Sequence, residues 1–260
     1  MYKEVSSICE EVLFMLKATD IIKDHRCIRK YLKEEISEEI LEEIISSVQR
    51  MPNSLNGQQT SIIIVKNSEK KSQLSALCGN QPWINEAPVF LIFIADFFKT
   101  HEALRHEGIH HIIERSAEGL LAATLDTGII LGATIIAAES FGLGVVPIGG
   151  IRNNPEEVIK LLKLPPKTFP LCGLAMGYPA DPSKKKPRLP LNTFLYEEEY
   201  NRKIINEELE KYNIIMKKYL ESVNRASEKN WTSFLGRFYK YIYYPNVHPV
   251  LISQGFKMNC

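Results

Sequence analysis

Residues 116–152 read SAEGLLAATLDTGIILGATIIAAESFGLGVVPIGGIR, and the reading of this stretch decides the fold. From Gly119 to Ala138 the only charged side chain is Asp126, and Leu120, Leu121, Leu125, Ile129, Ile130, Leu131, Ile135 and Ile136 occupy every face of a helical wheel. A helix apolar all round is buried, in a large core or in a membrane. Small residues recur at four-residue spacing (Gly119 with Ala123, Gly128 with Gly132, Ala133 with Ala137), so neighbouring elements can approach the backbone closely. The expectation is a helix that ends near Gly142 and is packed on both sides, within a domain or across a dimer. About 20 apolar residues would also cross a bilayer. Against that, Asp126 would sit near mid-membrane at a high desolvation cost, and no second such span follows. Beyond the helix, Gly144 to Ile148 reads as an apolar strand running into Gly149 and Gly150. Two missing Cβ atoms there leave main chain against which a flat ligand can lie.

Working outward, the chain has 260 residues, 45% of them hydrophobic, enough for one large domain or for a domain with an excursion. The formal net charge is +1, so no global field calls for nucleic acid or an anionic membrane. Five cysteines (Cys9, Cys27, Cys78, Cys172, Cys260) form an odd, scattered set without CxxC, which favours reduced thiols and argues against a zinc site. Val12 to Leu16 is too short an apolar run for an export signal and follows Glu10 and Glu11, so the expectation is a cytoplasmic protein.

Taken in order, residues 4–23 suggest one or two amphipathic helices. His25-Arg26-Cys27-Ile28-Arg29-Lys30-Tyr31 then places four cationic or potentially cationic side chains within six residues, a natural seat for an anion or else a solvated basic turn. Ser37 caps a helix carrying Ile40, Leu41, Ile44, Ile45 and Val48, which stops at Met51-Pro52. A polar loop, Pro52 to Gln58, leads into an apolar strand, Ser61 to Val65. Residues 69–78 are expected to be helical, Gln81-Pro82-Trp83 a loop, and Val89 to Ala95 a second long strand. Residues 96–111 hold His101, His106, His110 and His111, but without HExxH or a third ligand at a recognisable spacing they read as an exposed polar connector, with no metal expected. Asn153-Asn154-Pro155-Glu156-Glu157 opens a helix with an Asn cap and Pro in its first turn, and Phe169 to Met176 is a fourth strand. Lys184-Lys185-Lys186-Pro187-Arg188 is a second basic cluster, stiffened by its prolines, and residues 197–242 return to charged amphipathic helix before a short terminal segment.

Two basic clusters about 160 residues apart, a glycine pair after a strand and amide-rich loops together suit a phosphorylated planar molecule, with arginine giving bidentate contacts and lysine a point charge. No GxGxxG follows a strand, and GxxxxGK[ST] and GxSxG are absent, so dinucleotide Rossmann, P-loop and hydrolase-elbow chemistries are not indicated. An enzyme without an evident nucleophile remains possible where a cofactor carries the chemistry.

These segments resemble the flavin-dependent nitroreductase family, in its NADPH-dependent flavin reductase and oxygen-insensitive nitroreductase branch. His25 to Tyr31 looks like that family's HRSIRxF opening. Ala138 to Gly144 with Pro147 to Asn154 is similar to AAESLGLG…IGGxRNN, and Gly173 to Ala180 with Lys186 to Pro190 to GLxxGxPA…KPRLP. The matches run in the family's order across about residues 20–200. The resemblance implies an α+β fold, a nitroreductase-like α/β sandwich whose mixed, mainly antiparallel sheet is flanked by helices, with a long central helix at a homodimer interface. It implies an extension at 1–19, an FMN-binding core at 20–200 and a helical excursion and tail at 201–260.

By the same resemblance, His25, Arg26, Cys27, Ile28 and Arg29 with Lys186, Pro187 and Arg188 would hold the tail of tightly bound FMN. Asn53, Ser54 and Gln81 would bond the ribityl hydroxyls or the ring's polar edge, and Pro147, Ile148, Gly149 and Gly150 would lie along the ring. The implied activity is ping-pong hydride transfer from NADPH or NADH to FMN and then to free flavin, a quinone or a nitroaromatic, with no catalytic side chain because FMN carries the chemistry. A non-catalytic FMN-storage or sensing module is the alternative. Two departures are visible: Cys27 replaces the usual serine, and the arginines that meet the 2′-phosphate in NADPH-preferring relatives are absent. Arg225, Lys229 and His248 are the candidates in their place, which keeps NADH open. Expected partners are a second copy and small molecules, with neither nucleic acid nor membrane.

Overall fold

The structure, a computed structural model, describes residues 17–257, so the helical reading of residues 4–16 lies outside it. Contacts divide the described chain into a larger unit, residues 17–183 with 246–257, and a smaller one, Lys184–Pro245. The larger unit contains α1 (Ala18–Asp24), α2 (Glu38–Gln49), β1 (Thr60–Val65), α3 (Ser68–Leu77), α4 (Pro82–Glu86), β2 (Val89–Asp96), α5 (Phe98–His106), α6 (Ala117–Ser140), β3 (Gly144–Ile148), α7 (Pro155–Leu162) and β4 (Thr168–Gly177). In the smaller unit lie α8 (Ile205–Ser222) and α9 (Trp231–Tyr239), and α10 (Val247–Ser253) belongs again to the larger.

The sheet runs β1-β2-β4-β3, with all three pairings antiparallel. Central β2 is buried along its whole length because it serves two cores. Phe90, Ile92 and Ile94 pack on one face with Leu74, Ile84, Ile148 and Val158, while Val89, Leu91 and Phe93 pack on the other with Leu41, Ile44, Ala138 and Val145. This double burial is why the strand reads as an uninterrupted apolar run. Pro170 lies in central β4 and has no N–H to donate; the register slips there, Phe93 facing Cys172 and Ile94 facing Pro170. Pro147 is tolerated because β3 is an edge strand.

The long helix forms over Ala117–Ser140, capped by Ser116, whose Oγ accepts from Gly119 N at 3.0 Å. Its expected all-round burial is not met within one chain. Gly119, Ala123, Asp126, Thr127, Thr134 and Ala138 face the interior, whereas Leu121 and Leu125 are each 66% exposed. The helix is long and apolar enough to cross a membrane. Asp126 is nevertheless committed within the protein, since both its carboxylate oxygens accept from Ser54 N at 3.1 Å.

Other departures are local. Gln81-Pro82-Trp83 is not a free loop: Gln81 is the N-cap of α4 and Pro82 its first residue. Asn154 occupies the N-cap of α7 without capping it, and its side chain donates instead to Leu77 O at 2.9 Å. The exposed connector contains a buried cluster. Glu114 is fully buried and bonds His111 Nδ1 at 2.6 Å and the Lys167 ammonium, while His111 Nε2 lies 2.9 Å from Thr100 Oγ1. Burial alone would raise the Glu114 pKa, but its bonds to Lys167, its own backbone and His111 hold it below the ordinary value. In the smaller unit, helix begins only at Ile205, so residues 197–204 are not helical.

Candidate flavin site

The basic heptapeptide is an extended segment fixed to the sheet's ends. Ile28 N donates to Val145 O at 2.9 Å, Leu32 N to Tyr178 O at 2.9 Å and Ala180 N to Lys30 O at 3.0 Å, and Tyr31 bridges Pro179. The Tyr31 hydroxyl, buried, donates to Ile28 O at 2.8 Å and Ala175 O at 3.1 Å. Gly144 is required beneath this segment, because a Cβ there would stand 2.5 Å from Ile28 Cγ1. Alternation along an extended backbone then buries Ile28 and leaves Arg29 exposed, with Cys27 half-buried.

His25 leans on the end of the long helix, its Nδ1 2.6 Å from Glu139 Oε1. A hydrogen bond with Cys27, then that to Glu139, pushes its pKa up to about 9, so the imidazole is cationic at neutral pH. Arg26 pairs with Asp24 at 3.3 Å and shares with Glu139 a cleft of about 520 Å³. The Arg29 guanidinium lies 5.5 Å above the Trp83 ring. Trp83 Nε1 is buried with no hydrogen-bond partner among the described residues, an indole donor left for something the chain does not itself provide.

From the other side comes the end of β3. Pro147 is half-buried and Ile148 buried, and Gly149 and Gly150 begin a short 3₁₀ turn. A Cβ on Gly150 would collide with Gln81 Nε2 and lie 2.5 Å from Cys78 O. The α3–α4 turn, Gln81 and the glycine pair are thus in direct contact, and Arg29 meets the same turn through Trp83.

Asn53 and Ser54 are placed elsewhere, against the long helix: Asn53 Oδ1 accepts from Gln58 N at 3.0 Å, and Ser54 N is held by Asp126. Asn53 lines a separate apolar cleft with Leu41, Ile45, Ile62 and Ile130. In the smaller unit, Lys186, Pro187 and Arg188 border a pocket with Tyr212 and Trp231, and the Tyr212 hydroxyl donates to Pro187 O at 2.8 Å. Arg225 Nε and Nη2 donate to Glu228 Oε1 at 3.0 and 2.5 Å, and Lys229 is exposed nearby in sequence. His248 is exposed on α10.

A family model described as the Nitroreductase family matches residues 22–178, and a second, its C-terminal domain, matches residues 186–259. The chain belongs to the nitroreductase family. Among characterised relatives of this nitroreductase-family chain, an FMN reductase [NAD(P)H] of Bacillus subtilis is 43% identical over 242 residues, covering 91% of this chain and 96% of that enzyme. An FMN reductase (NADPH) of the same organism is 34% identical, covering 94% and 100%. The solved structure of B. megaterium NfrA2 superposes with a TM-score of 0.91 at 45% identity, covering 95% of this chain and 100% of that one.

Glu139 and Trp83, which contact the cationic segment through His25 and Arg29, are residues that reading for cations and amides passed over. Glu139 follows the apolar run directly and is the first charge after Asp126, a position with no packing reason to be acidic. Trp83 carries no signal in the sequence, because its contact with Arg29 follows from the start of α4 at Pro82, a helix too short to be read from its pattern.

Proposed function

We propose that this nitroreductase-family chain is an FMN-dependent oxidoreductase that takes hydride from NADPH or NADH and passes two electrons to a small acceptor, by ping-pong use of one pocket. FMN supplies the redox chemistry when bound. The chain's own residues bind it, orient it and shape access to it. Within the larger unit, Arg29 of the cationic segment lies over the Trp83 ring, Gly150 at the end of β3 packs against Gln81 at the start of the same helix, and the Trp83 indole N–H has no partner among the described residues. That juxtaposition is the observation that carries the reading of the site. Its donor set fits a phosphorylated flavin, with positive charge for the tail, amide and indole donors for the polar edge and a bare main chain for the ring.

In this reading His25, Arg26 and Arg29 neutralise the phosphate and the charge of the reduced ring, and the Cys27 and Ile28 main chain holds the loop in register, while Lys186 and Arg188 are the basic candidates of the smaller unit. Gln81 bonds the ring's edge, and Pro147 to Gly150 lie along it. The homodimer is the assembly we favour. Leu121 and Leu125 are exposed on an otherwise core-like helix, and the apolar cleft around Ile62 and Ile130 is open beside it. A second copy covering this side would bring its Asn53 and Ser54 to the flavin. Arg225, Lys229 and His248 are the candidates for meeting NAD(P)H. A net charge of +1 and the internal bonding of Asp126 support a cytoplasmic protein with small-molecule partners and neither nucleic acid nor membrane.

Anaerobic addition of NADPH or NADH to the FMN-loaded protein should bleach the flavin, and a quinone should restore it. A flavin that binds but stays oxidised with both nucleotides contradicts the activity and leaves a binding module.

A further inference from the structure

Glu139 stands at the wrong end of its helix for an acid. It lies in the last turn of α6, at the negative end of the helix dipole, and that turn contains no basic residue. Its compensation comes from His25, 114 positions away: Glu139 Oε1 lies 2.6 Å from His25 Nδ1, and the two side chains are 13% and 22% exposed. A carboxylate only accepts, so the proton of this contact sits on Nδ1. A neutral ring held in that way has a lone pair at Nε2, which repels an anion. It offers an N–H there only when it carries both protons.

The other charged groups around the imidazole are largely matched. From α1 come Asp20 and Asp24, from the segment itself Arg26, Cys27 and Lys30, and from the stretch after β4 Asp181. Asp24 pairs with Arg26 at 3.3 Å and Asp181 with Lys30 at 3.6 Å, whereas Glu139 is the acid that His25 bonds. The charge of Glu139 and the negative helix end both favour the doubly protonated ring. Bonding to Cys27, then to Glu139, raises the His25 pKa to about 9, in accord with that geometry.

We propose that Glu139 is a positioning residue for a flavin phosphate: through its bond to Nδ1 it holds His25 as an imidazolium, whose charge and Nε2–H meet the phosphate. The inference rests on the placement of the FMN phosphate at residues 25–29 proposed above. It makes the preference for phosphorylated over unphosphorylated flavin depend on a residue that acts only through His25. A phosphate gains its second charge near pH 6 and this imidazole loses its proton near 9, so the two titrations fall at opposite ends of the neutral range.

The test is the ratio of FMN to riboflavin affinity, measured by flavin fluorescence at pH 6 and 8 on full-length protein freed of flavin, for wild type, Glu139→Gln and His25→Asn. Each variant is compared with wild type at the same pH, which cancels the titration of the phosphate. His25→Asn should lower the ratio about tenfold or more at pH 8, the size of one charge-assisted contact. Glu139→Gln keeps an acceptor for Nδ1 but not the charge. It should leave the ratio within about twofold of wild type at pH 6, where an ordinary imidazole is still largely protonated, and lower it about threefold or more at pH 8. A Glu139→Gln ratio that matches wild type at both pH values, or that falls equally at both as a merely structural defect would make it, overturns the inference. If His25→Asn is still lowered in that case, the flavin placement stands. A His25→Asn ratio equal to wild type at both pH values contradicts the placement itself, and the inference with it.

Discussion

His25 links the long helix to the basic segment that follows α1, and its raised pKa makes that link dependent on pH. In the unfolded chain its value returns to about 6.5. The bonds to Cys27 and Glu139 therefore add stability that is fully present below about pH 6.5 and is lost as pH rises through about 9. Urea unfolding of the wild type and His25→Asn should differ most at pH 6 and converge near pH 10; a difference that grows with pH contradicts the assignment. Gly150 makes a steric prediction at the same scale. An added methyl meets a backbone oxygen, Cys78 O at 2.5 Å, which cannot swing aside as a side chain would. Gly150→Ala should cost about 1–3 kcal/mol and weaken FMN binding together, measured by denaturation and flavin titration. Single residues were the least legible part of the sequence. Cations and glycines announced themselves by type, but Glu139, Trp83 and Glu114 matter through partners 53 to 114 positions away, which only the folded chain brings together.

Elements were legible wherever one physical cause dominated. Four apolar runs became the four strands within about two residues, because each had to supply a buried face and turn residues bounded it. The long helix was legible as a helix but not in its exposure, since its small residues face the interior of one chain while Leu121 and Leu125 are left exposed. Leu125→Glu should therefore separate the proposed dimer into monomers by sedimentation while the far-ultraviolet circular dichroism stays unchanged. A dimer that persists would move the interface elsewhere. Asp126 acts at this scale as well, tying the Asn53–Gln58 loop to the helix through Ser54 N. Burial raises its pKa against the opposing Ser54 bond, so the carboxylate depends on that contact. Asp126→Ala should cost about 1–3 kcal/mol on denaturation and loosen the loop, seen as faster hydrogen exchange at residues 53–58. Unchanged exchange would show that the loop is held by other means.

Across the whole molecule, the chain leaves its larger unit at Lys184 and returns at Asn246, so α10 packs with Phe97, Phe169 and Ala123 through Val250 and Leu251. The sequence reading placed a helical excursion and tail together at residues 201–260. Composition could not mark the return, because the closing segment's partners lie about 80 to 150 residues upstream. The smaller unit bears on nucleotide choice. Arg225, a candidate for the 2′-phosphate, is already engaged by Glu228, which favours retention of NADH. Glu228→Gln should lower KM for NADPH severalfold and leave that for NADH within about twofold; equal changes for both would remove Arg225 from the nucleotide site.

Seating of a mononucleotide tail on the cations of residues 25–29 is the proposal on which the site depends, and it is measured most directly by the ratio of FMN to riboflavin affinity. These ligands differ only in the phosphate, and one charge-assisted contact to it contributes about 1.5–3 kcal/mol. In Arg26→Ala the ratio should fall about tenfold or more while riboflavin affinity stays as in the wild type. A ratio unchanged in this variant would contradict the placement of the phosphate.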